Sequence, residues 1–291
     1  MKKKALFTIL FATLAVYGCS SDSVGGAAGS GGTAGSGGTA GSGGSAGSGG
    51  SGGEGGAGGS AGEGGAGGSA GEGGAGGMPP GGMVVYEQNF ESLDVTPSTA
   101  LTDDGWLGFV NRFSPDGQSY LGGYESDPGQ NQGGLAAIET GQGGAEQGEK
   151  QLAIISDYNN DADQNAGNLV EANTYQQRTI VADDVGKTLT FSFDAKRGNI
   201  NDPGDANCAA PNVCDSTANA FIKTFVDPAN LINFLQEDTT AIPDTWNRYS
   251  IALGPIAGDL VGATLQFGFS ATASNYEPSQ VFYDNLLVVV E

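Results

Sequence analysis

The segment from Thr245 to Glu291 carries the pattern that most constrains how this chain can fold. Two of its runs place an apolar side chain at every second position, at Tyr249, Ile251 and Leu253 in the first and at Leu265, Phe267 and Phe269 in the second. Polar or small residues stand between them. A hydrophobic period of two is typical of a strand with one buried face, so both runs predict β-strands.

A third run, from Val281 to Val290, is apolar almost throughout and is interrupted only by Asp284 and Asn285. This composition predicts a central strand that is covered on both faces. An isolated charge in such a place is costly, so the Asp284 carboxylate needs a partner. Asp284 is therefore the first candidate functional residue.

Further segments upstream have the composition of strands and are separated by clusters of Gly, Asn, Asp and Pro. They are residues 84–91, 105–111, 119–125, 135–139, 151–156, 168–181, 188–195 and 219–227. No segment has a clear helical pattern, and residues 227–237 are the only ones that could hold a short helix. Many strands, many turns and little helix predict an all-β fold, an antiparallel β-sandwich of the jelly-roll type.

The N-terminus has the pattern of an export signal. Lys2, Lys3 and Lys4 precede an apolar run from Ala5 to Tyr17, which is typical of a secretory signal peptide and too short for a stable membrane span. The next residues, Gly18 and Cys19, complete a stretch that resembles a bacterial lipobox, which implies that Cys19 is lipidated. The alternative is ordinary cleavage that leaves Cys19 as a free thiol.

Lipidation predicts that the protein is exported and held at a membrane through its lipid anchor. Ser20 after Cys19 favours the outer membrane or cell surface. Residues 25–82 are almost entirely Gly, Ser, Ala and Thr, and such a chain is a flexible coil with a reach of about 40–45 Å. The chain therefore divides into a signal peptide at 1–18, a lipidated cysteine with a flexible linker at 19–82, and a β-sandwich domain at 83–291.

The two remaining cysteines, Cys208 and Cys214, close the short loop CAAPNVC. In an oxidising compartment they predict a disulfide. A tetrahedral metal clip would need further Cys or His ligands, and the chain has no histidine. If successive strands simply alternate in direction, this loop lies at the same end of the sandwich as residues 254–262. Residues 228–244 then lie at the opposite end, with residues 272–279.

The chain is strongly acidic. Its formal net charge is −22, and removal of the three signal lysines leaves 33 acidic against 8 basic residues, or −25. Such a surface repels nucleic acid, so nucleic acid is not an expected partner. Asp157, Asp161 and Asp163 fall in a segment without the glycine and final glutamate of an EF-hand loop, and we interpret it as a solvated acidic loop.

Several motifs together resemble the galactose-binding-like jelly rolls, which include the carbohydrate-binding modules found beside glycoside hydrolases. In chain order they are QNFES at 88–92, GW at 105–106, TLTFSFDAKRGN at 188–199, WNRYSIAL at 246–253, LQFGFS at 265–270 and VFYDNLLV at 281–288. The resemblance implies a structural calcium where the first strand meets the last, and the matching acidic residues are Glu91 and Asp284. Alternatively, Asp284 accepts backbone hydrogen bonds and Glu91 is solvated.

The resemblance also implies a polysaccharide ligand. Sugar binding needs aromatic rings for the apolar faces of pyranoses and polar side chains for their hydroxyls. The candidate ligand-binding residues are Trp106, Tyr120, Tyr124, Tyr276, Arg197 and Asn199. Trp106 and Trp246 are also candidates for the hydrophobic core.

The sequence contains no catalytic motif. Without histidine there is no Ser-His-Asp triad and no His-ligated catalytic metal. We therefore expect a non-catalytic, membrane-tethered lipoprotein with a carbohydrate-binding jelly roll. The alternative is a structural or adhesive surface protein with a protein or matrix partner, and a polysaccharide hydrolase or lyase is the third hypothesis.

Overall fold

A computed structural model describes residues 82–291, apart from 130–134, 157–160, 209–210, 212 and 228–229. The signal peptide, Cys19 and the glycine-rich linker lie outside the described residues. In the described part of the chain, no helix is both long and apolar enough to cross a membrane.

Strands account for most of the described residues. Their bounds are β1 Met83–Gln88, β2 Leu107–Phe113, β3 Tyr120–Glu125, β4 Ala136–Thr140, β5 Lys150–Ile154, β6 Leu169–Thr179, β7 Leu189–Arg197, β8 Thr217–Asp227, β9 Asn230–Asp238, β10 Asn247–Leu253, β11 Thr264–Ala273 and β12 Val281–Val290. Two short helices are present, α1 at Ala100–Asp103 and α2 at Asp161–Asn165.

The strands form two antiparallel sheets packed face to face. The first sheet has the order β10-β7-β12-β5-β4, with β1 also paired to β12, and the second has the order β3-β2-β6-β11-β8-β9. The predicted all-β sandwich is therefore confirmed. Consecutive strands cross between the sheets at several points, as expected of a jelly roll.

β12 is central, as its composition predicts. It pairs with β7 on one side. On its other side it pairs first with β5, through Val281–Tyr283, and then with β1, through Leu286–Val290. Asp284 falls between these two partners, where β12 bulges and Asn285 takes a positive φ of 48°.

The core lies between the sheets and is rich in aromatic rings. Phe269 of β11 stacks on Tyr283 of β12 with ring centroids 3.7 Å apart, and Phe193 of β7 meets Phe269 edge to face at 5.3 Å. Trp106 is fully buried beside them, with its ring 6.5 Å from that of Phe269. Phe269, which the sequence pattern assigns to a buried face, takes part in all three contacts.

One predicted element is wrong. Residues 227–237, predicted as a short helix, fall mostly within β9, which pairs antiparallel with β8. β9 is an edge strand of the second sheet. Its mixed composition gives no clear strand pattern, and its pairing with β8 stabilises the strand conformation. The helices α1 and α2 are not predicted by the sequence pattern.

The predicted placement of the cysteine loop is also wrong, for the same reason. Asn207, beside Cys208, donates from Nδ2 to the backbone oxygen of Tyr276 at 3.1 Å, so the cysteine loop lies with the β11–β12 connection. Residues 254–262 lie instead against the β6–β7 connection, where Gly186 N donates to Ile256 O at 2.8 Å. Because β9 is not among the predicted strands, the predicted direction of every later strand is reversed.

Cys208 and Cys214 form a disulfide with their Cα atoms 5.1 Å apart, as the sequence predicts. The interpretation of the acidic segment as solvated is wrong for Asp163, which is buried in α2. Its carboxylate pairs with Arg112 at 3.2 Å and accepts from Asn168 Nδ2 at 2.7 Å. Asp157 lies outside the described residues.

Replacing Phe269 by alanine tests the aromatic contact between the sheets. We expect the free energy of unfolding to fall by about 3–5 kcal/mol, because a large ring is lost from a packed core. Urea denaturation would measure this. The control is Val226→Ala, at a side chain that is 53% exposed, where a change within about 0.5 kcal/mol is expected. Equal losses in both variants would contradict the role given to Phe269.

Candidate functional site

The outer face of the second sheet combines aromatic and polar side chains. On β6, Ala172, Thr174 and Gln176 point towards the first sheet, so Glu171, Asn173 and Tyr175 point away from it. The register places Phe109 of β2 and Ser270 of β11 on either side of Asn173. This outer face includes Phe109, Asn111, Phe113, Tyr120, Glu171, Asn173, Tyr175, Phe221, Lys223, Phe234, Gln266 and Gly268.

Four rings of the outer face are not part of the core. Phe109, Phe113, Tyr120 and Tyr175 are all half-buried. Phe113 and Tyr120 meet edge to face with centroids 5.6 Å apart. A strand that carries large apolar groups on both faces exposes apolar area that no core contact explains, so these rings form a candidate binding surface.

Gly268 allows two rings of this surface to approach each other. It lies directly between Tyr175 of β6 and Phe221 of β8 in the register. A Cβ atom at this position would lie 2.3 Å from the backbone oxygen of Thr174 and 2.6 Å from the Cα of Tyr175. Any other residue would therefore push β6 away, and the absence of a side chain lets the two rings meet across β11, with their centroids 6.5 Å apart.

A carboxylate is held in place among the rings. Oε1 of Glu171 accepts hydrogen bonds from Asn111 Nδ2 at 3.1 Å and from Asn173 Nδ2 at 2.7 Å. In the part of the chain that the structure describes, no protein group donates to the other oxygen, Oε2. Glu171 is half-buried, so this second oxygen can accept hydrogen bonds from a bound molecule.

The predicted ligand residues mostly lie elsewhere. Tyr120 is on the outer face, beside Phe113. Trp106 is not available to a ligand, because it is fully buried and its Nε1 donates to Asp104 Oδ2 at 3.2 Å. Tyr124 packs on the inner side of the second sheet, against the buried cluster that includes Val110.

Three further predicted residues lie at or beyond the strand ends, at the end of the sandwich that carries the disulfide. Arg197 donates to the backbone oxygen of Ile200 at 2.8 Å from Nη2, rather than to a carboxylate. Asn199 accepts from Gln280 N at 3.0 Å. Tyr276 has a positive φ of 62°, and its hydroxyl accepts from Asn165 at 3.4 Å. The structure does not place these residues on the outer face.

Glu171, Asn173, Tyr175 and Lys223 are not among the ligand-binding residues predicted from the sequence. A signal for them exists in the strands, since β2 and β8 alternate aromatic residues on one face with apolar residues on the other. Only the pairing of β6 with β2 and of β11 with β6 and β8 shows that these outward residues are neighbours.

A second polar cluster surrounds Asp284 on the outer side of the first sheet. Asp284 is fully buried, and Oδ1 accepts from Asn285 N at 2.6 Å. Asp194, directly opposite on β7, accepts from Arg248 Nη1 at 3.0 Å and from Gln147 Nε2 at 2.9 Å. Oδ2 of Asp284 has no hydrogen-bond partner in the described residues.

The environment of Asp284 makes its ionised form costly. Burial, and then the nearby carboxylates of Asp194 and Glu91, raise its pKa to about 8, although the bond from Asn285 acts in the opposite direction. Asp284 therefore holds a proton at neutral pH unless a cation binds beside it.

The predicted calcium ligand Glu91 is already engaged. Its Oε1 accepts from the backbone N–H groups of Glu149 and Lys150 at 2.8 and 2.7 Å. The ammonium of Lys150 donates to the backbone oxygens of Glu91 and Leu93 at 3.0 and 2.7 Å. Among the described residues, no group of three or more acidic, Cys or His side chains is arranged to hold a metal ion. Within the described ranges, the orphaned Oδ2 of Asp284 is a feature that fits a cation.

Solved structures similar to this chain include carbohydrate-binding modules. The CBM22-2 xylan-binding domain of Paenibacillus barcinonensis Xyn10C aligns over 71% of this chain and 99% of its own length, with 12% identity and a TM-score of 0.37. TmCBM61, solved with β-1,4-galactotriose, aligns over 53% of this chain and 81% of its own length, with 10% identity and a TM-score of 0.30.

A third similar structure is the enzymatically active domain of tailspike protein 4 of bacteriophage CBA120. It aligns over 68% of this chain with 10% identity and a TM-score of 0.36, and this chain spans only 20% of its length. No family model matches the sequence, and no curated protein matches it. At these identities the likeness concerns the fold alone.

Replacing Asp284 by asparagine tests the buried carboxyl group. In a chelating buffer we expect the stability of the native protein to fall as pH rises from about 4 to about 8, by up to about 1.4 kcal/mol per pH unit. The folded state keeps the Asp284 proton in this range whereas the unfolded state, with a pKa of 3.8, has lost it. Asp284→Asn should flatten this dependence and stabilise the protein at pH 8.

Melting temperatures at pH 5, 7 and 9 would measure the effect. The control is Asp183→Asn, at an exposed carboxylate in the β6–β7 connection, which should leave the pH dependence unchanged. The same slope in the Asp284→Asn variant as in the native protein would refute the assignment.

Proposed function

We propose that this protein binds a polysaccharide on the outer face of its second sheet and does not act on it chemically. The observation that carries the proposal is the Glu171 carboxylate, fixed by two side-chain amides among half-buried aromatic rings. This arrangement supplies the two kinds of contact that a sugar requires.

The rings provide the apolar contact. One face of a pyranose presents mainly C–H groups, which pack against aromatic rings and are excluded from water. Phe109 of β2 lies opposite Asn173, Tyr175 is two positions further along β6, and Phe113 with Tyr120 continues the surface towards the end of the sheet.

The polar groups provide the directional contact. A carboxylate is a strong acceptor for hydroxyl donors, and hydrogen bonds to charged groups contribute about 1.5–3 kcal/mol. Because Oε1 of Glu171 is saturated by Asn111 and Asn173, the carboxylate cannot turn freely. Oε2 is then presented in a fixed position to the hydroxyls of a ligand.

Charge favours a neutral glycan. The chain carries a net charge of −22, and Glu171 stands at the middle of the proposed surface. A uronate or sulfate group placed against it would be repelled. The same charge supports the expectation that nucleic acid is not a partner.

The N-terminal sequence supports a tethered version of this function. We propose that Cys19 carries a lipid, that residues 19–82 are a linker, and that the domain is displayed at the outer membrane or cell surface. The disulfide between Cys208 and Cys214 supports export, because such bonds persist in oxidising compartments.

We also propose that a calcium ion binds beside Asp284, with Glu91 as a further ligand. The support is the buried Oδ2 of Asp284, which no described residue satisfies. A bound cation would favour the ionised carboxylate and offset its burial.

Affinity electrophoresis in gels containing soluble polysaccharides would test the glycan proposal. We expect at least one neutral polysaccharide to retard the native protein and polyuronates to leave its mobility unchanged. Glu171→Gln should weaken binding about 10-fold or more, because a charged hydrogen-bond acceptor is lost, and Tyr175→Ala should weaken it by removing a ring.

The control for these variants is Trp246→Ala, which removes a half-buried indole from the other sheet. It should bind like the native protein. No retardation by any polysaccharide, or full binding by Glu171→Gln, would refute the proposal.

Calorimetric unfolding with and without calcium would test the cation. We expect the chelator-treated protein to melt at a higher temperature when calcium is added, since a ligand that binds only the folded state stabilises it. Asp284→Asn should abolish the increase. If calcium leaves the native melting temperature unchanged, the proposed site does not exist.

A further inference from the structure

A buried lysine lies on the outer face of the second sheet, in β8, which is next to the edge strand β9. Lys223 of β8 is opposite Gln266 of β11, whereas Asn173 of β6 is opposite Ser270, four residues further along β11. The lysine side chain therefore runs along the sheet, past the row of Gly268. Its Nζ donates to Oδ1 of Asn173 at 3.0 Å.

Aromatic rings enclose this ammonium. Nζ lies 4.1 Å from the ring centroid of Phe221 and 5.0 Å from that of Phe234, and only 7% of the residue is exposed. Burial lowers the pKa of Lys223, and the nearby Glu171 carboxylate raises it. A buried ammonium is costly unless it is paired, so its single hydrogen bond to Asn173 is a strong constraint on both side chains.

The lysine determines which way the Asn173 amide points. A lysine ammonium only donates hydrogen bonds, so the atom of Asn173 that faces it must be the oxygen. The Nδ2 group then faces Oε1 of Glu171, at 2.7 Å. Turning the amide over would place its N–H groups against the ammonium and its oxygen against the carboxylate, and both contacts would be repulsive.

We propose that Lys223 is a positioning residue for the glycan surface: it fixes the amide of Asn173, which in turn fixes the Glu171 carboxylate that accepts hydrogen bonds from the ligand. The inference rests on the proposed function, since it assigns a role within the same surface. Lys223 acts through Asn173 and does not itself need to touch the ligand.

A double-mutant cycle tests the chain of contacts. Lys223→Met keeps an apolar side chain and removes the ammonium, and replacing a buried charge by an apolar residue of similar volume is often tolerated. We expect Lys223→Met to weaken glycan binding about 10-fold when Glu171 is present. In the Glu171→Gln background it should weaken binding less than about twofold, because coupled residues are not additive. Equal losses in both backgrounds would overturn the inference.

The matched control is Lys187→Met, which removes the same charge from the β6–β7 connection, beyond the end of the sheet. It should leave glycan affinity unchanged in both backgrounds. A loss equal to that of Lys223→Met would show that net charge, not the contact with Asn173, sets the affinity, and would also overturn the inference.

A second variant separates orientation from folding. Asn173→Asp keeps an acceptor facing Lys223 but replaces the amide donor that holds Glu171 with a second acceptor. We expect about a 10-fold loss of glycan affinity with the native circular-dichroism spectrum retained. Full affinity in this variant would contradict the role of the amide.

Nuclear magnetic resonance of the ligand-free protein distinguishes this inference from the proposed function. We expect the Asn173 side-chain amide signals of the full chain to exchange slowly with water and to shift and exchange faster in Lys223→Met, whereas Lys187→Met should leave them unchanged. Unaltered signals in Lys223→Met would overturn the positioning role even if glycan binding is confirmed. Failure of the native protein to bind any glycan would overturn the proposed function, and the amide signals would still show whether Lys223 holds Asn173.

Discussion

The contact between the two sheets is the interaction on which the rest of the molecule depends. Phe269 of β11 stacks on Tyr283 of β12, so the middle strands of both sheets are held together by their largest side chains. The hydroxyl of Tyr283 also shares a hydrogen bond with Thr239 at 2.7 Å, which gives a buried polar atom its partner. With their inner faces fixed in this way, the strands of the second sheet can present aromatic and polar groups outward without losing their register.

The two faces of the second sheet have different roles. On β6, β8 and β11 the inward residues fill the core, and the outward residues include a carboxylate, an ammonium, amides and rings. These polar groups satisfy one another in a defined order from Lys223 through Asn173 to Glu171. A network of this kind is costly when incomplete and rigid when complete. Oε2 of Glu171, an acceptor to which no described residue donates, lies where the rings are half-buried, and the proposed function follows from that coincidence.

The sequence predicts the fold better than the site, for a physical reason. Alternation along Leu265, Phe267 and Phe269 reports burial directly, because one side of a sheet faces the core. β9 was missed because an edge strand has fewer neighbours to impose a pattern. Glu171 and Lys223 could not be recognised as neighbours, since they come from separate strands and are brought together only by pairing. Asp284 is the exception, because a carboxylate within a continuous apolar run is visible without knowledge of the pairing.

The pairing of β1 with β12 determines how the domain responds to a pull on its leading end. Met83 lies opposite Val290 and Gln88 lies opposite Leu286, so the chain enters the sheet beside the last strand and runs antiparallel to it. The hydrogen bonds of such a pair are perpendicular to the strands. Tension applied at Gly82 along the strand direction would therefore load all the bonds between β1 and β12 in shear, together, instead of opening them one at a time.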